Sequence, residues 1–325
     1  MPSFRTGEVT EILEERPGLQ RVTVAGERAY VLTQLVGSVA VGDRVVVNTT
    51  AVELGLGTGG WHVVHWNLTH PDERWSEPGP GHIMKLRYTS LQVDTGAGEE
   101  GLELPTSLER LPVVACGLHS QVPIVAVVIK HLAPEARIAY VMTDGGSLPI
   151  ALSDTVHQLR TQHLVDLTIT AGHAFGGDVE AVNVHSALAL AAHHGADVTI
   201  AAIGPGVVGT GTRLGHTGLD VVTTADAAAS LGGTPILAVR FSEADERERH
   251  QGPSHHTMTA VELAARQLVV PTPDELDVPD VAALLDDAGL TVTTMGRGPD
   301  DDPAFFAWTG AAGVVAADLI AARRK

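Results

Sequence analysis

Gly204-Pro205-Gly206-Val207-Val208-Gly209-Thr210-Gly211-Thr212-Arg213-Leu214-Gly215-His216-Thr217-Gly218 packs six glycines and three threonines into fifteen residues. It follows the apolar run 198–203 and leads into the helix-like stretch 219–231. A glycine-rich loop between a strand and a helix brings bare backbone N–H groups close to an anion. Gly204, Gly206, Gly209, Thr210, Gly211, Thr212 and His216 are therefore expected to bind a ligand. The stretch lacks the lysine of a phosphate loop. It also does not sit on the first strand of its domain, as a dinucleotide fingerprint would, so it implies an anion cradle and no particular nucleotide.

Working outward, continuous apolar runs at 113–117, 137–142, 166–170, 197–203 and 235–241 read as strands. Helical stretches at 121–132, 150–162, 179–194 and 219–231 separate them. Uninterrupted apolar strands between helices indicate a parallel sheet buried on both faces. Further on, 257–267 and 280–288 read as helices, 268–270 and 290–294 as strands, and 305–322 as a C-terminal helix using Gly310 and Gly313 for close packing. Residues 4–68 instead alternate short strand-like runs with turns at Pro17-Gly18, Gly26 and Val41-Gly42-Asp43, which predicts a small barrel. The expected fold is α/β: a small N-terminal β-barrel-like domain over 1–70, a linker with a strand and an exposed loop over 71–111, and a doubly wound, mainly parallel, Rossmann-like sandwich over 112–325. The glycine-rich piece 53–62 is either a flexible hairpin or a loop folding over the site.

Parallel α/β sheets bind ligands beyond the carboxyl ends of their strands. The strand-to-helix connections carry nearly all the chemically equipped residues: His119, then Asp144 beside Gly145-Gly146, then His173 with Asp178, then the opening stretch, then 242–256. The helix-to-strand connections look ordinary. His173 with Asp144 or Asp178 can serve as a proton-transfer pair, while Asp144 and Asp178 can equally be turn or helix caps. Arg247 and Arg249 can complement an anion, and Lys85 is a second cationic candidate in a chain with few basic residues. His250, His255 and His256 lie within seven residues and could ligate a divalent metal, although their spacing matches no established zinc signature. The sequence names no other cofactor.

Composition narrows the partners. A net charge of −18 with no basic cluster larger than Arg323-Arg324-Lys325 argues against nucleic acid. Cys116 is the only cysteine, which excludes an intramolecular disulfide and fits a reducing compartment. Glu8, Glu11, Glu14 and Glu15 interrupt any apolar signal near Met1, so a cytoplasmic location is expected. The most apolar segment, 304–317, is too short to span a bilayer. Alanine- and glycine-rich C-terminal sequence is compatible with a homodimer.

The blocks 53–61, 81–89, 140–149, 172–183, 204–218 and 247–257 together resemble the hallmark blocks of an uncharacterised bacterial family catalogued only as a domain of unknown function. The resemblance spans nearly the whole chain and implies no activity. The residues themselves favour an enzyme of the hydrolase or transferase class acting on a small phosphorylated or carboxylated metabolite. The competing reading is a non-catalytic, metabolite- or nucleotide-binding regulatory protein.

Overall fold

The computed structural model describes residues 1–56, 59–72 and 81–324. The chain divides into two compact units, Met1–Gly96 and Ala97–Lys325. The centre of the glycine-rich 53–62 piece and most of the proline-rich part of the expected linker lie outside the described residues.

In the first unit, strands β1 (Phe4–Arg16), β2 (Leu19–Val24), β3 (Glu27–Leu32), β4 (Arg44–Asn48) and β5 (His62–Asn67) close a barrel in the order β1-β2-β3-β5-β4. Single helical turns α1 (Thr33–Val36) and α2 (Thr50–Glu53) lie in its connections. Only the β3–β5 pairing is parallel, the Greek-key arrangement of OB-type barrels. Thirteen-residue β1 serves two neighbours because register shifts after Val9 and Ile12 bend it around the barrel. Alternating valines fill the interior: Val9, Val22, Val24, Val31, Val45, Val47 and Val64 are buried together. A small pair, β6 (Met84–Lys85) with β7 (Val93–Asp94), completes this unit.

The second unit contains a six-stranded sheet in the order β11-β10-β9-β12-β8-β13. Its strands are β8 (Pro112–Cys116), β9 (Ile138–Thr143), β10 (Leu167–Thr170), β11 (Val179–Glu180), β12 (Val198–Ile203) and β13 (Thr234–Ala238), all paired in parallel. The connecting helices are α3 (Gln121–Leu132), α4 (Asp154–Thr161), α5 (Val184–His193) and α6 (Asp220–Ser230). A short pair, β14 (Phe241–Ser242) with β15 (Gly252–Pro253), follows, and then α7 (His255–Leu263), α8 (Val281–Asp287) and α9 (Pro303–Arg323).

Period-two alternation assigns the faces. Ile138, Tyr140 and Met142 of β9 pack in one core with α3, α4, α8 and α9, whereas Ala139 and Val141 face a second core with α5. α6 packs beside α5 on that second face. The sheet is thus doubly wound, as the apolar runs imply. The chain leaves β9 on one face and its neighbour β12 on the other, which makes the carboxyl ends of β9 and β12 the topological switch point.

The structure departs from the expected elements at 179–180 and 290–294, and at 268–270 only Val269 pairs, as an isolated bridge to Ile236. Residues 179–180 are not the start of a helix. Val179 and Glu180 extend the sheet, with Thr170 Oγ1 donating to Glu180 at 2.8 Å, and α5 begins only after Asn183 and Ser186 form a reciprocal cap. Residues 290–294 form no strand. Leu290 and Val292 are buried against the helical core, and only Thr294 pairs, with nearby Arg297. The apolar alternation there reflects docking to a core rather than pairing.

α9 is, at 21 residues, long and apolar enough to cross a bilayer, but 61% of its apolar window is buried within the fold. It lies against α3, α8 and β13, so the described residues give no clear membrane span.

Candidate functional site

The loops leaving β9 and β12 meet at the switch point, where a crevice would be expected. Here the main chains fill it. A Cβ on Gly146 would overlap the Gly204 carbonyl, one on Gly204 would overlap the Ser147 carbonyl, and Ser147 N–H donates to the Pro205 carbonyl at 2.8 Å. Gly204 therefore serves close backbone approach.

Beyond Gly206, residues 209–216 fold into a short tongue. Gly209 bridges His216, Thr210 N–H donates to the Gly215 carbonyl at 2.7 Å, and Thr217 N–H donates to the Val208 carbonyl at 2.8 Å. Thr210 and Thr212 hydroxyls bond each other at 2.8 Å, and Gly215 N–H donates to Thr212 at 3.1 Å. Much of the loop's amide capacity is thereby spent internally, and Thr212 belongs to this closed network rather than to an open cradle, while Gly211 faces open space at the tip.

An open cavity of about 120 Å³ lies beside the tongue, lined by Val207, Gly209, Thr210, Arg240, Arg247, Arg249, His250, His256 and Met295. The expected Gly209, Thr210, Arg247, Arg249, His250 and His256 thus meet at one place. Arg240, two residues past the end of β13, joins them and was not among the expected site residues. Its signal was its position at the carboxyl end of a buried strand.

One carboxylate organises the guanidiniums. Asp245, 2% exposed, accepts from Arg247 Nε at 2.9 Å and Nη2 at 2.8 Å and from Arg297 Nη2 at 3.2 Å, with Arg240 at 3.7 Å. Hydrogen bonds from Arg247 hold the Asp245 carboxyl well below the usual carboxylate range. Arg297 also donates to buried Asp302, which accepts from Ser242 Oγ at 2.6 Å. Arg249 is exposed and has no hydrogen bond or ion pair among the described residues. Three guanidiniums therefore share two carboxylates, with Arg249 beside them, at the edge of a chain whose net charge is −18. Desolvation and neighbouring Arg247 bring even Arg240 down to about 10. An anion entering the cavity would relieve that repulsion.

The imidazoles are all kept neutral. Burial, with the charge of Arg240, lowers His250 to about 3; burial and His216 lower His256 to about 2. His216 and His255 are also lowered, chiefly by burial. His256 Nδ1 accepts from Arg240 Nη1 at 3.2 Å, which leaves the proton on Nε2. Ser254, the N-cap of α7, accepts from His256 N–H and lies 2.7 Å from His250 Nδ1. His216 and His256 are stacked with centroids 3.6 Å apart and planes 8° apart, and His255 lies 4.3 Å from His256. His216 is 7% exposed, yet neither of its ring nitrogens has a hydrogen-bond partner, and His255 Nε2 is similarly unsatisfied. Each such group costs about 1–3 kcal/mol when nothing binds it.

The remaining candidates lie elsewhere. Asp144 accepts the backbone N–H of His173 at 2.9 Å, so these two do meet, but neither lines the arginine cavity. Asp178 is committed to Thr168 N–H at 2.8 Å, Thr168 Oγ1 at 3.0 Å and Arg160 at 3.1 Å, closing the β10–β11 connection. His119 Nε2 bonds Ser153 Oγ at 2.7 Å while Nδ1 faces the Ile203 carbonyl and the Tyr140 hydroxyl, each at 3.2 Å; burial lowers it to about 4. This is a buried brace between strands. Lys85 is a fully buried residue of β6 in the barrel unit.

These features define an α/β protein with a closed N-terminal barrel and a doubly wound domain that gathers arginines and histidines at one sheet edge. The model of the family described as "Protein of unknown function (DUF3866)" matches residues 28–280, and the chain belongs to that family. No curated protein matches it significantly in sequence.

Proposed function

We propose that the protein is an enzyme of the hydrolase or transferase class whose substrate is a small phosphorylated or carboxylated metabolite, bound in the cavity between the tongue and the start of α7. The observation that carries this reading is the convergence of Arg240, Arg247 and Arg249 on one cavity with too few carboxylates to neutralise them. Arg249 and Arg247 hold the anion. The Nε2–H of His256, in the first turn of α7, donates to it. His250, neutral and at the cavity wall, is the proton acceptor. This moves the proton-transfer role from His173 and Asp144, which lie outside the cavity.

Calorimetric titration of the full chain with inorganic phosphate and small di- and tricarboxylates tests the site. Arg249→Ala is expected to weaken binding by about tenfold or more, the worth of one charge-assisted hydrogen bond of about 1.5–3 kcal/mol. Unchanged affinity would remove the cavity as the binding site. Turnover of phosphate monoesters or carboxylic esters that His250→Gln abolishes, with affinity retained, supports catalysis; binding without turnover supports the regulatory reading.

A further inference from the structure

We infer that His216, His255 and His256 bind one divalent transition-metal ion of the zinc class, next to the arginine cavity. Each of the three offers a ring nitrogen within 4.8 Å of the other two. They come from two elements: His216 closes the tongue, while His255 and His256 open α7. The unsatisfied nitrogens are concentrated here, both of those on buried His216 and Nε2 of His255. Neutral imidazoles select zinc, cobalt, nickel or copper over magnesium and calcium, which prefer oxygen ligands.

Ligation requires a small rearrangement. Zinc–nitrogen bonds of about 2.0–2.1 Å put tetrahedral ligand atoms roughly 3.4 Å apart, so the three nitrogens must draw together. The parallel rings of His216 and His256 cannot both direct a lone pair at one ion; one has to turn. His216 can do so at the cost of no more than a loose contact with the Arg213 main chain. An ion at His256 Nδ1 takes the lone pair that Arg240 now uses, which frees that guanidinium at the cavity wall. Gly218 forms the wall, since a Cβ there would sit 3.2 Å from His216 Nδ1 and 3.3 Å from His256 Nδ1. His250, the third member of the triad expected from sequence, is held at Nδ1 by Ser254, and His216 takes its place. Three protein ligands leave a fourth position open toward solvent or substrate. That an anion in the cavity completes the coordination rests on the function proposed above; metal uptake itself does not.

The test uses the untagged, full-length protein stripped of metal, titrated with Co²⁺ by equilibrium dialysis and visible spectroscopy at pH 7.5. One Co²⁺ per chain, with the intense bands of a four- or five-coordinate site, is expected. His216→Ala and His255→Gln should each abolish stoichiometric uptake, and Gly218→Ala should weaken it while keeping every ligand. Sub-stoichiometric uptake by wild type, or full uptake by a folded His216→Ala protein, would overturn the assignment. If the variants do not fold, the wild-type Co²⁺ protein must still show paramagnetically shifted imidazole protons from three histidines, and fewer would contradict it. Phosphate binding by metal-free wild type is scored separately, so loss of the anion reading and loss of the metal site are distinguishable.

Discussion

Asp245 sets the charge that the cavity presents, because its single buried carboxylate faces Arg240, Arg247 and Arg297 at once. Removing that charge leaves the guanidiniums uncompensated, and Asp245→Asn is expected to lower the unfolding free energy by about 3 kcal/mol in urea titrations. The neutral histidines give a separate signature. His119, His250 and His256 are lowered to about 4, 3 and 2, so below their ordinary value near 6.5 the unfolded chain binds protons that the folded chain does not. Stability therefore falls as pH drops from about 7 toward 5, by up to about 1.4 kcal/mol per pH unit for buried His250 and by less for half-buried His119 and His256. Asp245, lowered by its arginines, adds its loss only below the ordinary carboxylate range. A melting temperature that stays flat or rises between pH 7.5 and 5 would contradict this electrostatic picture. None of these pairings was legible in the sequence, where Arg247 and Arg249 read as anion partners and nothing marked Asp245 as their shared carboxylate. Arg297, which shares Asp245, stands 52 residues away.

At the level of elements, the glycines mark where secondary structures touch. Gly313 of α9 faces Val128 of α3, with its missing Cβ only 2.8 Å from the valine Cβ, and Gly310 faces Val281 at 2.9 Å. Gly313→Val should cost about 1–3 kcal/mol or more through overpacking, seen as a lower midpoint in denaturant; a neutral effect would mean that α9 is not packed against α3. The close-packing role of these two residues could be read from sequence because Gly and Ala recur on an apolar helix. The tongue could not. Its glycines suggested an open anion cradle, but alternating Thr210, Thr212 and Gly215 give the loop enough internal donors and acceptors to close on itself. Likewise, Val179 and Glu180 read as helix because nothing local distinguishes two residues of edge strand from a helix's first turn.

Across the whole molecule, the parallel sheet and the preceding barrel were legible because buried strands and half-buried strands leave different apolar patterns, continuous in 198–203 and alternating in 22–31. The edge where the candidate residues gather was legible too, since topology fixes where strand-to-helix loops collect. Which loops share a cavity depends on packing, and this brought Gly209 and Thr210 to Arg247 and Arg249 but left His173, Asp144 and His119 apart. Every residue lining the cavity belongs to the unit Ala97–Lys325. A fragment beginning at Ala97 that folds by circular dichroism should therefore bind the anion as the full chain does; a folded fragment without binding would assign the barrel a part in the site. The most direct test of the central claim is calorimetry of the full-length protein with inorganic phosphate, comparing wild type with Arg249→Ala. Saturable binding near one per chain, weakened about tenfold or more by the substitution, is predicted. Absence of binding by phosphate and small carboxylates alike, or an affinity indifferent to Arg249, would contradict it.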